Sequence, residues 1–232
     1  MNPIQPILID AIPALLWGNP SERLWIYVHG KMADKTAAAS FASIAAERGF
    51  QTLSFDLPEH GERTAHPERC DIWTGIRDLT TVADYAKRHW KQISLYGCSL
   101  GAFFSLHAYS ELPLERCLFQ SPVVDMEYLI RQMFQWFGIT EEQLWQQREI
   151  PTPVDTLSYD YYAYIRQHPI TCWTVPTAIL YGGRDTLQSR EIVEGFARRF
   201  GCTLTISEES EHPFLAESDA PIVERWLREN IR

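Results

Sequence analysis

The chain has 232 residues, 45% of them hydrophobic, which suffices to bury the core of one large α/β domain. Its 21 Lys and Arg stand against 30 Asp and Glu, a formal net charge of -9, and phosphate binding rests on clustered cations. Nucleic acid and anionic membrane surfaces are therefore not expected as partners, and a small neutral or mixed-charge ligand is.

The opening "MNPIQPILIDAIPALLWG" carries Pro3, Pro6, Asp10 and Pro13 without a basic leader or cleavage site, so no secretory signal is expected. Its second part reads as two short strands joined by a turn. Strand-like apolar runs then recur at "RLWIYVHG", "GFQTLSFD", "QISLYG", "RCLFQS", "PTAILYGG" and "CTLTISEE", about eight strands in all. Helical periods over 34–47, 70–89, 99–109, 189–199 and 214–229 lie between most of them. This alternation predicts βαβ units around a mostly parallel sheet. Over 70–89, Ile72, Ile76, Leu79, Val82, Ala83 and Ala86 recur at spacings of three and four, an apolar stripe for packing on that sheet.

The alternation breaks over 126–175, which holds helix-like pieces at 127–137 and 140–147, the proline-interrupted "EIPTPVD" and the aromatic cluster "SYDYYAYI". So long an excursion predicts a small cap inserted between two parts of one core, 1–125 and 176–232. No apolar run is long enough to span a bilayer. Cys70, Cys98, Cys117, Cys172 and Cys202 form neither a disulfide framework nor a metal pattern, and a reducing cytoplasm is the expected compartment.

The stretch "ISLYGCSLGAFFSLHAYS" places Gly97, Cys98, Ser99, Leu100 and Gly101 as G-x-S-x-G between a predicted strand and a predicted helix. A serine on such a sharp turn needs small neighbours two positions away, so that helix and strand can approach. The helix start then turns free N–H groups toward any negative charge developing on a substrate oxygen. A helix-capping role for Ser99 is the plainer alternative. The rest of the chain has to decide.

A serine hydroxyl needs a base, and the base needs an orienting group. His212 in "SEESEHPFLAES" follows the last predicted strand, which puts it at the C-terminal edge of the sheet with Ser99. His89 and His107 sit in helices, and His66 and His168 precede prolines in loops without a partner pattern. For the acid, Asp185 follows the strand exit marked by Gly182 and Gly183, and Asp125, just past the preceding strand, is its rival. Cys98 reads as a small buried hydrophobe.

The order Ser99, Asp185, His212 around this turn resembles the α/β-hydrolase superfamily, in its serine esterase and lipase-like branch. "YVHGK" and "SFDLPEHGER" are similar to the family's His-Gly turn and its D-x-P-x-H-G turn. The resemblance implies an α/β-hydrolase fold with a helical cap, catalytic Ser99, Asp185 and His212, and an oxyanion hole from the backbone N–H groups of Leu100 and Lys31. It leaves His29, Asp56 and His60 as structural. It further implies hydrolysis of a small carboxylic ester or thioester through an acyl-enzyme, with no cofactor and no metal. A perhydrolase, lyase or acyltransferase could reuse the same triad, and a silent binding scaffold could keep the same fold.

Overall fold

The computed structural model describes residues 3–232. Two strands, β1 (Ile4–Ile9) and β2 (Ile12–Trp17), form an antiparallel hairpin, followed by β3 (Arg23–Val28). A 3-10 turn (Lys35–Ala38) leads into α1 (Ala39–Glu47), so the single helix predicted over 34–47 is two pieces. Asp34 caps the first piece by accepting the Thr36 N–H. Next come β4 (Gln51–Phe55), α2 (Ile72–His89), β5 (Gln92–Cys98), α3 (Leu100–Ala108) and β6 (Cys117–Gln120). Asp71 and Thr74 start α2 with reciprocal side-chain bonds to each other's backbone.

Residues 126–175 contain α4 (Met126–Phe137), α5 (Glu141–Gln147), a hairpin of β7 (Glu149–Pro151) and β8 (Thr156–Ser158), and α6 (Tyr159–Gln167). The hairpin stands where the sequence reads as a proline-rich connection. The chain closes with β9 (Thr177–Gly182), α7 (Arg190–Phe200), β10 (Thr203–Ser207) and α8 (Asp219–Asn230). The last helix starts five residues later than its apolar spacing predicts. Phe214 has a left-handed backbone, φ 51°, and Asp219 holds the loop by accepting from Ser210 Oγ and Ala216 N–H.

The sheet runs β1-β2-β4-β3-β5-β6-β9-β10, with β2 antiparallel to both neighbours and every later pair parallel. Side chains alternate between its faces. Leu24, Ile26 and Val28 of β3 join one core with Leu79, Val82, Phe103 and Val193 of α2, α3 and α7. Trp25 and Tyr27 join the other with Phe41 and Ile44 of α1 and Trp226 of α8. The connections leaving β3 and β5 thus go to opposite faces, which opens a crevice between their C-terminal ends, the usual place for a site in such a sheet.

At the open edge, Gly18 N–H donates to the Pro3 carbonyl, which fixes the ladder phase. Alternate residues of β1, including Pro6, therefore turn their backbone outward.

The turn after β4 rests on buried charge. Asp56 Oδ1 accepts the Lys35 N–H at 2.9 Å and Oδ2 accepts Lys35 Nζ at 2.6 Å, while Arg63 donates to the Asp56 carbonyl at 3.0 Å and pairs with Asp78 at 2.5 Å. Arg63 and Asp78 are both buried. Asp78→Ala is therefore expected to cost about 2 kcal/mol of unfolding free energy, because Arg63 keeps its pair with Glu68 but loses the partner that is buried with it. Glu22→Ala, which breaks an exposed pair with Lys91, should leave the denaturation midpoint nearly unmoved.

Candidate active site

Pairing of Val28 with Gly97 brings the ends of β3 and β5 out side by side. At that point Ser99 adopts φ 49° and ψ -115°, a conformation that costs about 1–3 kcal/mol and needs its surroundings to enforce it. Its N–H donates to Gln120 O at 3.1 Å, and its carbonyl accepts from Ala102, Phe103 and Val123 N–H groups. A methyl group on Gly101 would stand 2.5 Å from Val28 O and 2.4 Å from His29 O, and one on Gly97 would stand 2.9 Å from Ala102 Cα. Only glycine lets β3, the turn and α3 meet this closely. Ser99 caps α3 in position only, since its side chain makes no capping bond.

That side chain points elsewhere. Ser99 Oγ lies 2.7 Å from His212 Nε2, and His212 Nδ1 lies 2.6 Å from Asp185 Oδ2. The Asp185 side chain is fully buried, and its other oxygen accepts N–H bonds from Leu187 at 2.7 Å and Gln188 at 3.2 Å. The loops carrying Asp185 and His212 meet because Gly182 has no side chain, since a methyl there would press on Ser210 O and Glu211 O at 2.6 and 2.7 Å. Asp125 is occupied differently. It caps α4, accepting the Tyr128 N–H at 2.8 Å.

Two supports carry no sequence signal. Ser121 Oγ donates to the His212 carbonyl at 2.6 Å. Gln188, fully buried, accepts from the Val124 and Asp125 N–H groups and donates to the Asp125 carbonyl, which ties the exit of β6 to the loop bearing Asp185.

Lys31 follows β3, and Leu100 is the first residue of α3. Among the described residues, no protein acceptor takes the N–H of either. The Gly30 carbonyl accepts from His29 Nδ1–H at 2.7 Å, and because the Gly30–Lys31 peptide is planar and trans, this bond also sets the direction of the Lys31 N–H. His29 Nε2 accepts the Leu57 N–H at 3.1 Å, so the ring is neutral with its proton on Nδ1. Burial lowers its pKa to about 4. His60 Nδ1–H donates to the Pro58 carbonyl of its own turn at 2.7 Å, and the ring packs 5.2 Å from that of His29. The other histidines stay outside, with His107 edge-on to Phe103 and His168 stacked on Tyr164. The Cys98 thiol is enclosed, as its position before Ser99 predicts, and desolvation pushes it up to about 12.

A pocket of about 530 Å³ opens over Ser99 and Leu100. Met126, Leu129, Ile130, Met133 and Trp136 of α4 form one wall, and the β7–β8 hairpin with Tyr161 and the loop before α2 forms another. Of the aromatics in 126–175, Trp136 and Tyr161 line this pocket. Others pack among themselves, as Phe134 does on Tyr162. Among the described residues, no three His, Cys, Asp or Glu side chains converge as metal ligands. Among the described residues, no helix is long and apolar enough to cross a membrane.

The neutral His29 has a consequence for acid stability. The unfolded chain protonates this histidine near 6.5 and the folded chain near 4, so the folded state binds fewer protons between these values and loses stability as pH falls through that window. The unfolding free energy should drop from pH 6.5 to 4, and urea titrations of His29→Asn, which cannot titrate, should show a shallower slope.

No family model and no curated protein matches this sequence. Solved structures do. The structure of ferulic acid bound to Est1E from Butyrivibrio proteoclasticus is 19% identical with a TM-score of 0.77, over 97% of this chain and 96% of that one. Mouse alpha/beta hydrolase domain-containing protein 10 is 15% identical with a TM-score of 0.76, over 98% and 97%. The thioesterase domain from the curacin biosynthetic pathway is 15% identical with a TM-score of 0.61, over 98% and 99%. From the parallel sheet with its antiparallel leading hairpin to these end-to-end likenesses, the chain has the α/β-hydrolase fold.

Proposed function

We propose that the protein is a serine hydrolase that cleaves a small carboxylic ester or thioester through an acyl-enzyme on Ser99. The observation that carries this reading is the continuous line from Ser99 Oγ to His212 to Asp185, with both links at hydrogen-bond length. His212 Nε2 takes the Ser99 proton as the oxygen attacks the carbonyl carbon. The Leu100 and Lys31 N–H groups receive the oxyanion, each donor being worth roughly 3 kcal/mol to the transition state. Asp185 holds the Nδ1–H tautomer and stabilises the imidazolium. His212 then returns the proton to the leaving group and activates water to release the acid. Residues 126–175 act as a cap, whose α4 offers the acyl or alcohol group an apolar wall. The thioesterase name among the structural neighbours agrees with this chemistry, and at 15% identity the likeness itself speaks for the fold.

A fluorophosphonate probe should label wild-type protein and fail on Ser99→Ala, with circular dichroism unchanged. Labelling that survives Ser99→Ala overturns the assignment. Ser99→Ala and His212→Ala should each abolish ester turnover and add little in combination, because the triad acts as a unit. Asp185→Asn should lower kcat by about four orders of magnitude through the wrong histidine tautomer. Asp125→Ala should instead cost about 1 kcal/mol of stability, the loss of a helix cap, and leave kcat near wild type. Shortening the α4 wall with Met133→Ala should move the preferred acyl chain toward longer esters, read on a panel of graded chain length.

A further inference from the structure

Seven charged side chains line the pocket over Ser99. Five are carboxylates, Glu59, Asp71, Glu149, Asp155 and Asp160, and the two cations are Lys31 and Arg69. Neither cation is free. Lys31 is paired with Asp155 and Arg69 with Glu149, each joining a core loop to the β7–β8 hairpin. Asp160 is met by Arg148, which lies outside the pocket wall. That leaves Glu59 and Asp71 on either side of Cys70, with no cation on either among the described residues. Glu59 accepts the Cys70 N–H at 2.8 Å from a left-handed backbone, φ 63°, and Asp71 accepts the Thr74 N–H at 2.9 Å. Both carboxylates are thus fixed in place by backbone donors that carry no full charge.

Aromatic rings stand in the same lining. Trp73 and Tyr161 stand together in the same wall, their rings 6.2 Å apart, with Trp136 in the wall from α4. The negative face of an aromatic ring favours a cation over an anion. Burial pushes the nearby Cys70 thiol up to about 12, with Lys31 acting against the rise and Glu59, Asp155 and Asp71 adding to it.

We infer that the pocket selects esters without negative charge, neutral or cationic, and rejects acids, sulfonates and phosphate-bearing acyl carriers, because each of its two cations is paired with a carboxylate while Glu59 and Asp71 meet no cation among the described residues. The inference rests on the serine-hydrolase reading and narrows its substrate class. Within that class it favours simple esters over nucleotide-bearing thioesters, whose phosphates would find no free Lys or Arg here.

Three acetates of similarly sized alcohols test it, those of choline, 3,3-dimethylbutanol and 2-hydroxyethanesulfonate, which carry a positive, no and a negative charge. At low ionic strength kcat/KM should fall in that order, by roughly five- to tenfold at each step, the scale of one charge facing two partly solvated carboxylates. Both steps should shrink toward unity at roughly 0.5 M salt, where screening is strong, and Glu59→Gln should narrow them at low salt. Sulfonate turnover equal to or above that of the neutral ester at low salt overturns the inference, and so do steps that persist at high salt, which would report size instead of charge. Calorimetric binding of the same three acetates to Ser99→Ala reads the charge order without chemistry. Failure of the hydrolase reading shows separately, as loss of fluorophosphonate labelling, and leaves that binding order as the measure of the pocket.

Discussion

The left-handed backbone of Ser99 is the constraint on which the site depends. A serine held at φ 49° is stable only if the strand before it, the helix after it and the neighbouring strand all grip the turn at once. The grip is visible in the backbone of β3 pressing on Gly101 and in three N–H groups converging on the Ser99 carbonyl. From it follow the adjacency of β3 and β5 and the start of α3 at Leu100. The exposure of the serine oxygen at the crevice follows as well. A slip of one residue between β3 and β5 would turn the inward side chains outward and move His29 and Lys31 away from Ser99 together.

Around this point, rigidity comes from polar groups that are themselves fully occupied. His29 spends one ring nitrogen on Gly30 and the other on Leu57, and so links the end of β3 to the turn after β4. Asp56, Lys35 and Arg63 hold that turn from below, and Gln188 performs the same service between β6 and β9. The edge that carries Ser99 is a set of loops, yet many of their polar side chains are held by hydrogen bonds. By contrast, Lys31 and Arg69 tie the core loops to the hairpin through ion pairs that are partly exposed.

Much of this was legible in the sequence because it is written in local patterns. Apolar runs with β-branched and aromatic residues marked the strands of the main sheet, and Gly97, Ser99 and Gly101 marked the turn. His212 and Asp185 stood out because each follows a strand on the same edge. The β7–β8 hairpin was not legible. Its strands are three residues long, too short for a period, and Pro151 and Pro153 argue against strand. The start of α8 was misplaced for a related reason, as the apolar spacing continues through Phe214 while the Ser210–Asp219 bond keeps that segment a loop. Gln188 and Ser121 gave no signal at all, since their value lies in partners 63 and 91 residues away. The charge balance of the pocket is illegible for the same reason, because it depends on which carboxylates happen to meet a cation.

The outermost strand has a consequence of a different kind. β1 presents Ile4 and Leu8 to solvent, and an apolar edge strand is a ready template for strand addition from another molecule. The outward-facing positions of its ladder include Pro6, which has no N–H to offer. A second chain laid along this edge would find a missing donor in the middle of every attempted ladder, so the proline works against fibril-like stacking at an edge that is both open and apolar.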